Sequence, residues 1–308
     1  MSIAILHEHP QWNEPLFAEM ERRGLDWVSI DASNGGFDPT VAGDWSVLVN
    51  RMSPSAWTRG HMAAMLETPE FLSNAESVGI PVINGSESFS YELSKRKQLD
   101  LLRRKRVRHP EGRPVLNSDE IVGAAIDLTF PVLVKPNIGG SGAGITEYQT
   151  REELAGAVEA GLVDDLGPDG VGLVQEKLPA RGNSIVRVEI LGGRFLYAIR
   201  LQLQPGSFNL CPADYCDPVS GVADAGDLVD AHVPPGPIIA EAARIIEATG
   251  ADLGGVEYLV NDRDGEAYFY DINALSNFVA DALNVIGFDP FIQLVDFIED
   301  RAKYPVLA

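Results

Sequence analysis

Short apolar runs alternate with amphipathic segments over the first 85 residues of the chain. Runs of strand length occupy residues 3–6, 27–30, 45–50 and 80–84. Between them, residues 11–23 and 58–75 place apolar side chains at the spacing of one helix face. Alternating strands and helices are typical of a parallel sheet covered by helices. The pattern therefore predicts an α/β lobe over residues 1–85.

A second lobe, predicted over residues 86–175, begins with a charged helix that is rich in strong helix formers. Its elements are a helix, a hairpin, a helix and a strand, at residues 91–106, 130–148, 151–160 and 171–176. The hairpin is the simplest interpretation of an apolar strand that runs into a glycine-rich loop and is followed by a returning strand.

A third lobe is predicted over residues 176–308. Its strands fall at residues 184–191, 194–203, 254–260 and 267–272, and its helix at residues 237–249. Gly192-Gly193 is a turn signal between the first two strands, which favours an antiparallel pair. The fold class predicted for the whole chain is α/β (α+β), with an N-terminal parallel lobe and two further α+β lobes.

The charge and composition of the chain disfavour several classes of protein. The formal net charge of −21 over 308 residues disfavours a sequence-independent nucleic-acid binder. The basic helix 95–106 could be a nucleic-acid patch, but a solvated helix face is the commoner explanation for such a run. No apolar run approaches the length of a membrane span, and the chain begins without a secretory pattern, so we expect a cytoplasmic protein. Cys211 and Cys216 are too few for a disulfide framework.

The glycine-rich loop is the first candidate for a functional site, as a segment that could bind an anion. Residues 139–144 read Gly-Gly-Ser-Gly-Ala-Gly and follow Lys135, which interrupts an apolar strand. Glycines allow backbone amides to approach an anion closely, and a lysine in such a strand indicates an anionic partner. A structural glycine hairpin is the alternative. Lys97 is a second candidate cation, although its basic neighbours make a surface lysine equally plausible.

The second candidate is a pair of apolar strands that carry acidic side chains. Glu257 interrupts one strand, and Asp271 and Asn273 lie two residues apart on the next. Because side chains alternate along a strand, a hairpin would place all three on one face. Three oxygen ligands of this kind suit Mg²⁺. The alternative is an edge strand whose polar side chains face solvent.

These motifs occur in a recognisable order. They are, along the chain, Lys97, Lys135 with its glycine loop, Gln175-Glu176-Lys177-Leu178, Arg187, Arg200, and Glu257 with Asp271-x-Asn273. In order and spacing they resemble the ATP-grasp superfamily, and within it the chain is similar to the RimK-like ligases and glutathione synthetases. The resemblance extends over residues 45–280. It implies an ATP-grasp fold whose three lobes clasp ATP.

The resemblance also implies roles for individual residues. Those expected to bind ATP are Lys97, Lys135, Gly139, Gly140, Ser141, Gly142, Gly144, Gln175, Glu176, Lys177, Leu178 and Asn183. The lysines would hold phosphates, the loop would cover them, and residues 175–178 would line the adenine, although an ordinary interdomain strand is equally possible there. The residue that holds the ribose is left open between Asn183, Ser184 and an acid elsewhere.

Metal and catalytic roles follow from the same resemblance. Glu257, Asp271 and Asn273 would coordinate two Mg²⁺ ions, with Mn²⁺ as an alternative. Arg200, Arg187 and Lys135 would be catalytic. Arg200 would stabilise the transferred phosphoryl group, and Arg187 would assist there or bind a substrate carboxylate. The residues expected near the substrates are Arg51, Ser276 and Asn277, and a surface arginine is the alternative for the first of them.

The activity implied is that of an ATP-dependent carboxylate–amine ligase, which forms an amide through an acyl phosphate. Its partners would be a small-molecule carboxylate and an amine, an amino acid or small peptide among them, and relatives suggest a dimer or tetramer. An ATP-grasp carboxylase, a carboxylate kinase and a non-catalytic nucleotide-binding protein are the alternatives. The loop with Cys211 and Cys216 matches no motif, and ordinary thiols are the simplest interpretation.

Overall fold

Three β-sheets organise the part of the chain that the computed structural model describes. That part comprises residues 2–34, 43–163, 166–204, 206, 208 and 228–304. Cys211 and Cys216 lie outside it, and the interpretation of their loop stays a prediction.

The first sheet is parallel and has helices on both faces. Its elements are β1 (Ser2–His7), α1 (Pro10–Arg22), β2 (Trp27–Asp31), β3 (Trp45–Arg51), α2 (Met62–Ser77) and β4 (Val82–Ile83). The strand order is β2-β1-β3-β4. Alternation along β1 sends Ile3 and Ile5 into the core shared with α1, and Ala4 and Leu6 into the core shared with α2. The predicted N-terminal α/β arrangement is confirmed.

The second sheet is antiparallel and carries the glycine-rich loop. Its elements are β5 (Gly112–Val115), α5 (Ile121–Ala124), β6 (Val132–Pro136), β7 (Thr146–Tyr148), α6 (Arg151–Glu159) and β8 (Gly172–Glu176). The strand order is β5-β8-β6-β7, so the predicted hairpin forms between β6 and β7. The loop between these two strands is thereby held at one edge of the sheet.

The third sheet is antiparallel, in the order β11-β10-β9-β12-β13. The elements of this region are α3 (Ser86–Glu92), α4 (Lys95–Arg104), β9 (Ser184–Leu191), β10 (Arg194–Gln202), β11 (Val229–Ala231), α7 (Gly236–Ala248), β12 (Leu253–Val260) and β13 (Ala267–Asn273). Helix α7 covers one face of the sheet. The other face turns towards the first sheet, because its side chains join the core of the N-terminal lobe.

Helix α4 does not pack where the predicted lobe boundaries placed it, which was in the middle lobe that begins at residue 86. Its Leu101 and Leu102 pack in the same core as Val188 and Ile245, so the helix rests on the third sheet rather than in the middle lobe. The predicted lobe boundaries themselves stay a prediction.

The last helices return to the N-terminal lobe. Helix α8 (Ala282–Val285) is a single turn, and α9 (Pro290–Lys303) packs Leu294 and Ile298 against the first sheet. Arg23 pairs with Asp296 and Glu299 at 2.6 and 2.8 Å on the outer side of this contact. None of the described helices has the length and hydropathy needed to cross a bilayer.

Candidate active site

A cavity of about 850 Å³ lies between the three sheets. Its volume falls in the range of sites that bury most of a small-molecule ligand. The charged and amide side chains of its wall are Glu92, Lys95, Glu147, Glu176, Lys177, Lys135, Gln175, Asn183, Arg187, Gln204, Glu257, Arg263, Asp271, Asn273 and Asn277. Most of the residues predicted from the sequence are therefore brought together, with five exceptions described below.

The acidic strand pair has the predicted geometry. Glu257 on β12 pairs directly with Asp271 on β13, and Gly255 pairs with Asn273. Three oxygen-bearing side chains thus share one face of the sheet and reach the cavity. Burial, and then repulsion from Asp271, raise the pKa of Glu257 to about 7.

The donor set at this point fits a hard divalent cation. Two carboxylates and an amide are oxygen ligands of the kind that Mg²⁺ prefers, and a cation would relieve their mutual repulsion. In the described part of the chain, no three His, Cys, Asp or Glu side chains cluster so as to hold a metal. Mg²⁺ that is bound together with phosphate usually takes only part of its coordination shell from the protein.

Two lysines face the acidic pair. Lys95 opens α4, and its Nζ lies 2.5 Å from Oδ1 of Asp271. Lys135 stands on β6 with 6% of its surface exposed. Burial, and then the nearby ammonium of Lys95, lower the pKa of Lys135 to about 8. These side chains bring positive charge from two different lobes into the cavity.

The structure does not support the expectation for Lys97. Its side chain is exposed, and its Nζ lies 5.8 Å from the ring centroid of Tyr91, outside the cavity wall. Two residues along a helix correspond to a rotation of about 200°. Because Lys95 faces the cavity, Lys97 has to face away from it.

Arg187 enters the cavity from β9 and is enclosed by carboxylates. Its Nε lies 2.6 Å from Oε1 of Glu189, and its Nη1 lies 3.4 Å from Oε1 of Glu257. Burial opposes the charged form, but these two carboxylates raise the pKa of Arg187. A Cβ at Gly255 would lie 2.6 Å from the Nε of Arg187, so only glycine leaves room for the guanidinium there.

Arg200, the second predicted catalytic arginine, lies on the opposite face of the sheet. Ile199 pairs with Arg187, and alternation therefore turns Arg200 away from the cavity. Its Nη2 lies 2.8 Å from Nδ1 of His232, and 37% of its side-chain surface is exposed. The structure contradicts the expectation that Arg200 stabilises a transferred group in this cavity.

The glycine-rich loop of the middle sheet packs against the N-terminal lobe. A Cβ at Gly140 would lie 3.1 Å from the Cβ of Ser55, so the loop packs closely against that lobe. Ser141, Gly142 and Gly144 have positive φ values, which favour glycine at the last two positions. Gly144 shapes the turn without lining the cavity, whereas residues 139–143 line it. That the loop covers phosphates stays a prediction.

The segment predicted to line adenine is on the cavity wall, but its side chains have protein partners. Oε1 of Glu176 accepts a hydrogen bond from the amide of Thr129 at 2.7 Å. Lys177 pairs with Glu147 on β7. Gln175 and Leu178 lie on the same wall, and both are buried. Their contacts with a base therefore stay a prediction.

Asn183 also lines the cavity, next to the end of this segment. Its Nδ2 donates to the carbonyl of Leu203 at 2.8 Å, which fixes the amide. The choice of a ribose ligand stays open.

Arg51 is buried between lobes rather than displayed to a substrate. It donates hydrogen bonds to Oδ1 of Asn13 at 2.9 Å, to the carbonyl of Ser276 at 2.8 Å and to Oδ1 of Asn277 at 3.3 Å. Of the three residues expected near substrates, only Asn277 lines the cavity. Burial lowers the pKa of Arg51 to about 10.

Five charged or amide side chains of the cavity wall were not predicted from the sequence: Glu92, Lys95, Glu147, Gln204 and Arg263. Lys95 follows Ser94, whose side chain caps α4 by accepting from the amide of Lys97. That capping signal places Lys95 in the first helical position. Glu92 offered no such signal: its carboxylate accepts from the amides of Ala274 and Leu275, and burial raises its pKa to about 7.

Comparison with known proteins supports the resemblance. No known family model matches the chain. A D-alanine–D-alanine ligase of Kineococcus radiotolerans is 31% identical over 198 residues, which cover 56% of this chain and 44% of that protein. A probable alpha-L-glutamate ligase of Pseudoalteromonas translucida is 30% identical over 146 residues, 45% of each protein. The chain thus spans less than half the length of the curated relatives it matches.

Solved structures match over nearly the whole chain. A RimK-domain ATP-grasp protein of Sphaerobacter thermophilus superposes with a TM-score of 0.67 at 20% identity and covers 97% of this chain and 100% of that one. A D-alanine–D-alanine ligase of Bacillus anthracis, solved with ATP, gives 0.66 at 16% identity, with 98% and 97% covered. The resemblance inferred from the motifs is confirmed, and the chain has the ATP-grasp fold.

Proposed function

We propose that this chain is an ATP-dependent ligase that joins a carboxylate to an amine and releases ADP and phosphate. The observation that carries the proposal is one cavity in which Lys95, Lys135 and Arg187 face the pair formed by Glu257 and Asp271. Similar proteins named as ligases support it. Such a cavity offers cations for a polyphosphate close to carboxylates for its counter-ion.

ATP would bind with its phosphates towards the two lysines. Lys95 and Lys135 would contact phosphate oxygens, and the loop 139–143 would offer backbone amides to them. The base would lie against residues 175–178, where Leu178 supplies an apolar surface. In this proposal Lys95 takes the role that the resemblance implied for Lys97.

Glu257, Asp271 and Asn273 would hold Mg²⁺, two ions if the site is completed by phosphate oxygens, or Mn²⁺ in its place. When bound, the metal supplies charge that neutralises the β- and γ-phosphates. Asp271 would leave its contact with Lys95 for this purpose, which also frees the ammonium of Lys95 for phosphate.

The reaction would proceed in two transfers. An oxygen of the substrate carboxylate attacks the γ-phosphorus, the bond to the β-phosphate oxygen breaks, and an acyl phosphate and ADP result. The amine then attacks the acyl carbon, phosphate leaves with the bonding electrons, and the amine loses a proton. Arg187, held at the cavity wall, would stabilise negative charge in both steps. The loop 139–143 would exclude water from the acyl phosphate.

The substrates would be small amino acids or short peptides, which supply both functional groups. Asn277 is the remaining candidate near them, because it lines the cavity beside the N-terminal lobe. A homodimer or tetramer is part of the proposal and is open to a measurement of mass in solution.

The test is a screen for phosphate release from ATP and Mg²⁺ with pairs of amino acids. A ligase needs both a carboxylate and an amine, whereas a carboxylate kinase needs only the first and a carboxylase needs bicarbonate. Asp271→Ala should abolish release, and Asp262→Asn, an exposed change in the turn of the same hairpin, should not alter it. Undiminished turnover by a folded Asp271→Ala protein would refute the proposal, and tight ATP binding without turnover would favour a non-catalytic protein.

A further inference from the structure

Glu189 is a fully buried carboxylate that the proposed reaction does not use. It stands on β9, two residues from Arg187 and therefore on the same face, and 0% of its surface is exposed. It does not line the cavity. A buried carboxylate is costly to desolvate, and so its partners indicate what it is for.

Both oxygens of Glu189 have a partner. Oε1 accepts from the Nε of Arg187 at 2.6 Å, and Oε2 accepts from the hydroxyl of Ser276 at 2.5 Å. The hydroxyl of Ser276 therefore holds one oxygen of the carboxylate, and the other oxygen holds the guanidinium of Arg187. Because Nε is the root of the guanidinium, its hydrogen bond sets the direction in which the two Nη atoms point.

The other carboxylate near Arg187 is the candidate metal ligand Glu257. Its Oε1 lies 3.4 Å from Nη1, a longer contact than the 2.6 Å of the bond to Glu189. Without the charge of Glu189, the guanidinium would have Glu257 as its nearest counter-ion. It would then be drawn towards Glu257 and compete with a cation for the same oxygens.

The hydroxyl that fixes Glu189 belongs to a residue that is also fixed. The carbonyl of Ser276 accepts from Nη1 of Arg51 at 2.8 Å, and Arg51 is anchored to Asn13 on α1. A continuous series of buried hydrogen bonds therefore runs from the N-terminal lobe to Arg187. The position of Arg187 therefore depends on how the N-terminal lobe packs against the third sheet.

We infer that Glu189 is a positioning residue, which with Ser276 holds the guanidinium of Arg187 at the cavity wall and keeps it away from Glu257. The inference rests on the proposed function, because it gives Arg187 a part in that reaction. It predicts that loss of the Glu189 charge lowers turnover and raises the Mg²⁺ requirement, while the fold is retained.

Glu189→Gln is the test, since it keeps the shape and removes the charge. We expect kcat for phosphate release to fall about 10- to 100-fold, and the Mg²⁺ concentration for half-maximal rate to rise about 10-fold. Glu189→Asp should recover part of both. The matched control is Glu19→Gln, which removes a carboxylate paired with Arg22 and Arg23 on α1, and it should leave both quantities unchanged.

A second readout does not depend on turnover. The Nε–H of Arg187, assigned in ¹⁵N-arginine-labelled protein by its disappearance in Arg187→Lys, should exchange slowly with water in the wild type and faster in Glu189→Gln. If Glu189→Gln does not fold, Ser276→Ala decides by the same measurement. Unchanged exchange and unchanged Mg²⁺ dependence would overturn the inference. A wild-type protein without phosphate release would refute the proposed function, while the exchange measurement would still decide whether Glu189 positions Arg187.

Discussion

The Nζ of Lys95 lies 2.5 Å from Oδ1 of Asp271, and this contact joins the first turn of α4 to strand β13. Lys95→Met should therefore weaken binding of a non-hydrolysable ATP analogue with Mg²⁺ by about 10- to 100-fold, since a charged hydrogen bond contributes about 1.5 to 3 kcal/mol. Lys97→Met should leave the affinity unchanged, because its side chain faces solvent. Isothermal titration calorimetry measures the affinity of both variants for the analogue. Equal losses of affinity would contradict the assignment of Lys95 to the phosphates.

The two arginines of the β9–β10 hairpin should also differ in how much a substitution costs, here in the rate of phosphate release. Arg187→Lys keeps a charge but loses the fork of donors, and phosphate release should fall at least about 100-fold. Arg200→Lys should change it less than about 3-fold, because Arg200 contacts His232 on the far face of the sheet. Steady-state rates with a substrate pair found by the screen give the answer. A larger loss in Arg200→Lys would refute the placement of these side chains.

Gly255 provides a test of the space around Arg187. Gly255→Ala would place a Cβ 2.6 Å from Nε, which must displace the guanidinium from Glu189. We expect turnover to fall about 10- to 100-fold. Gly156→Ala in α6 is the control, since nothing lies within 4 Å of its Cβ position, and it should stabilise the fold by about 0.5 to 1 kcal/mol without changing turnover. Wild-type turnover in Gly255→Ala would show that the close approach is not required.

Lys135 makes the stability of the ligand-free protein depend on pH. Burial lowers its folded-state pKa from 10.5 to about 8, so between these values the unfolded chain binds more protons and stability rises with pH. Lys135→Met should stabilise the ligand-free protein by up to about 3 kcal/mol at neutral pH, and the advantage should shrink as the pH rises above 8. Urea unfolding at about pH 7 and about pH 9.5 measures both. An advantage independent of pH would exclude this cause.

The sequence predicted the architecture and the shared face of Asp271 and Asn273 correctly because local rules decide them. Alternating apolar runs define the parallel sheet, and the two-residue step from Asp271 to Asn273 places both on one face whatever the register. Lys97 was predicted at the site although Lys95 is the one that lines the cavity, because charge alone does not separate neighbouring lysines on a helix. The N-cap at Ser94 would have separated them, since it fixes where the first turn begins.

Two β-bulges explain what could not be predicted from the sequence. A register shift between Phe195 and Tyr197 reverses the face of every later residue of β10, and this turns Arg200 away from Arg187. A second shift, between Glu257 and Tyr258, lets Asp271 face the same way as Glu257. A single inserted residue has no local signal in these strands, yet it decides which side chains enter the cavity.

The return of α9 to the first sheet has a consequence for synthesis of the chain. One face of the β1–β4 sheet finds Leu294 and Ile298 as partners only after residue 303 has been translated, although the strands themselves are made first. The nascent N-terminal lobe therefore leaves apolar surface uncovered through most of elongation, which is the condition that chaperones recognise. We expect the lobe to be expressed poorly by itself and to be rescued when a peptide of residues 288–304 is supplied in trans.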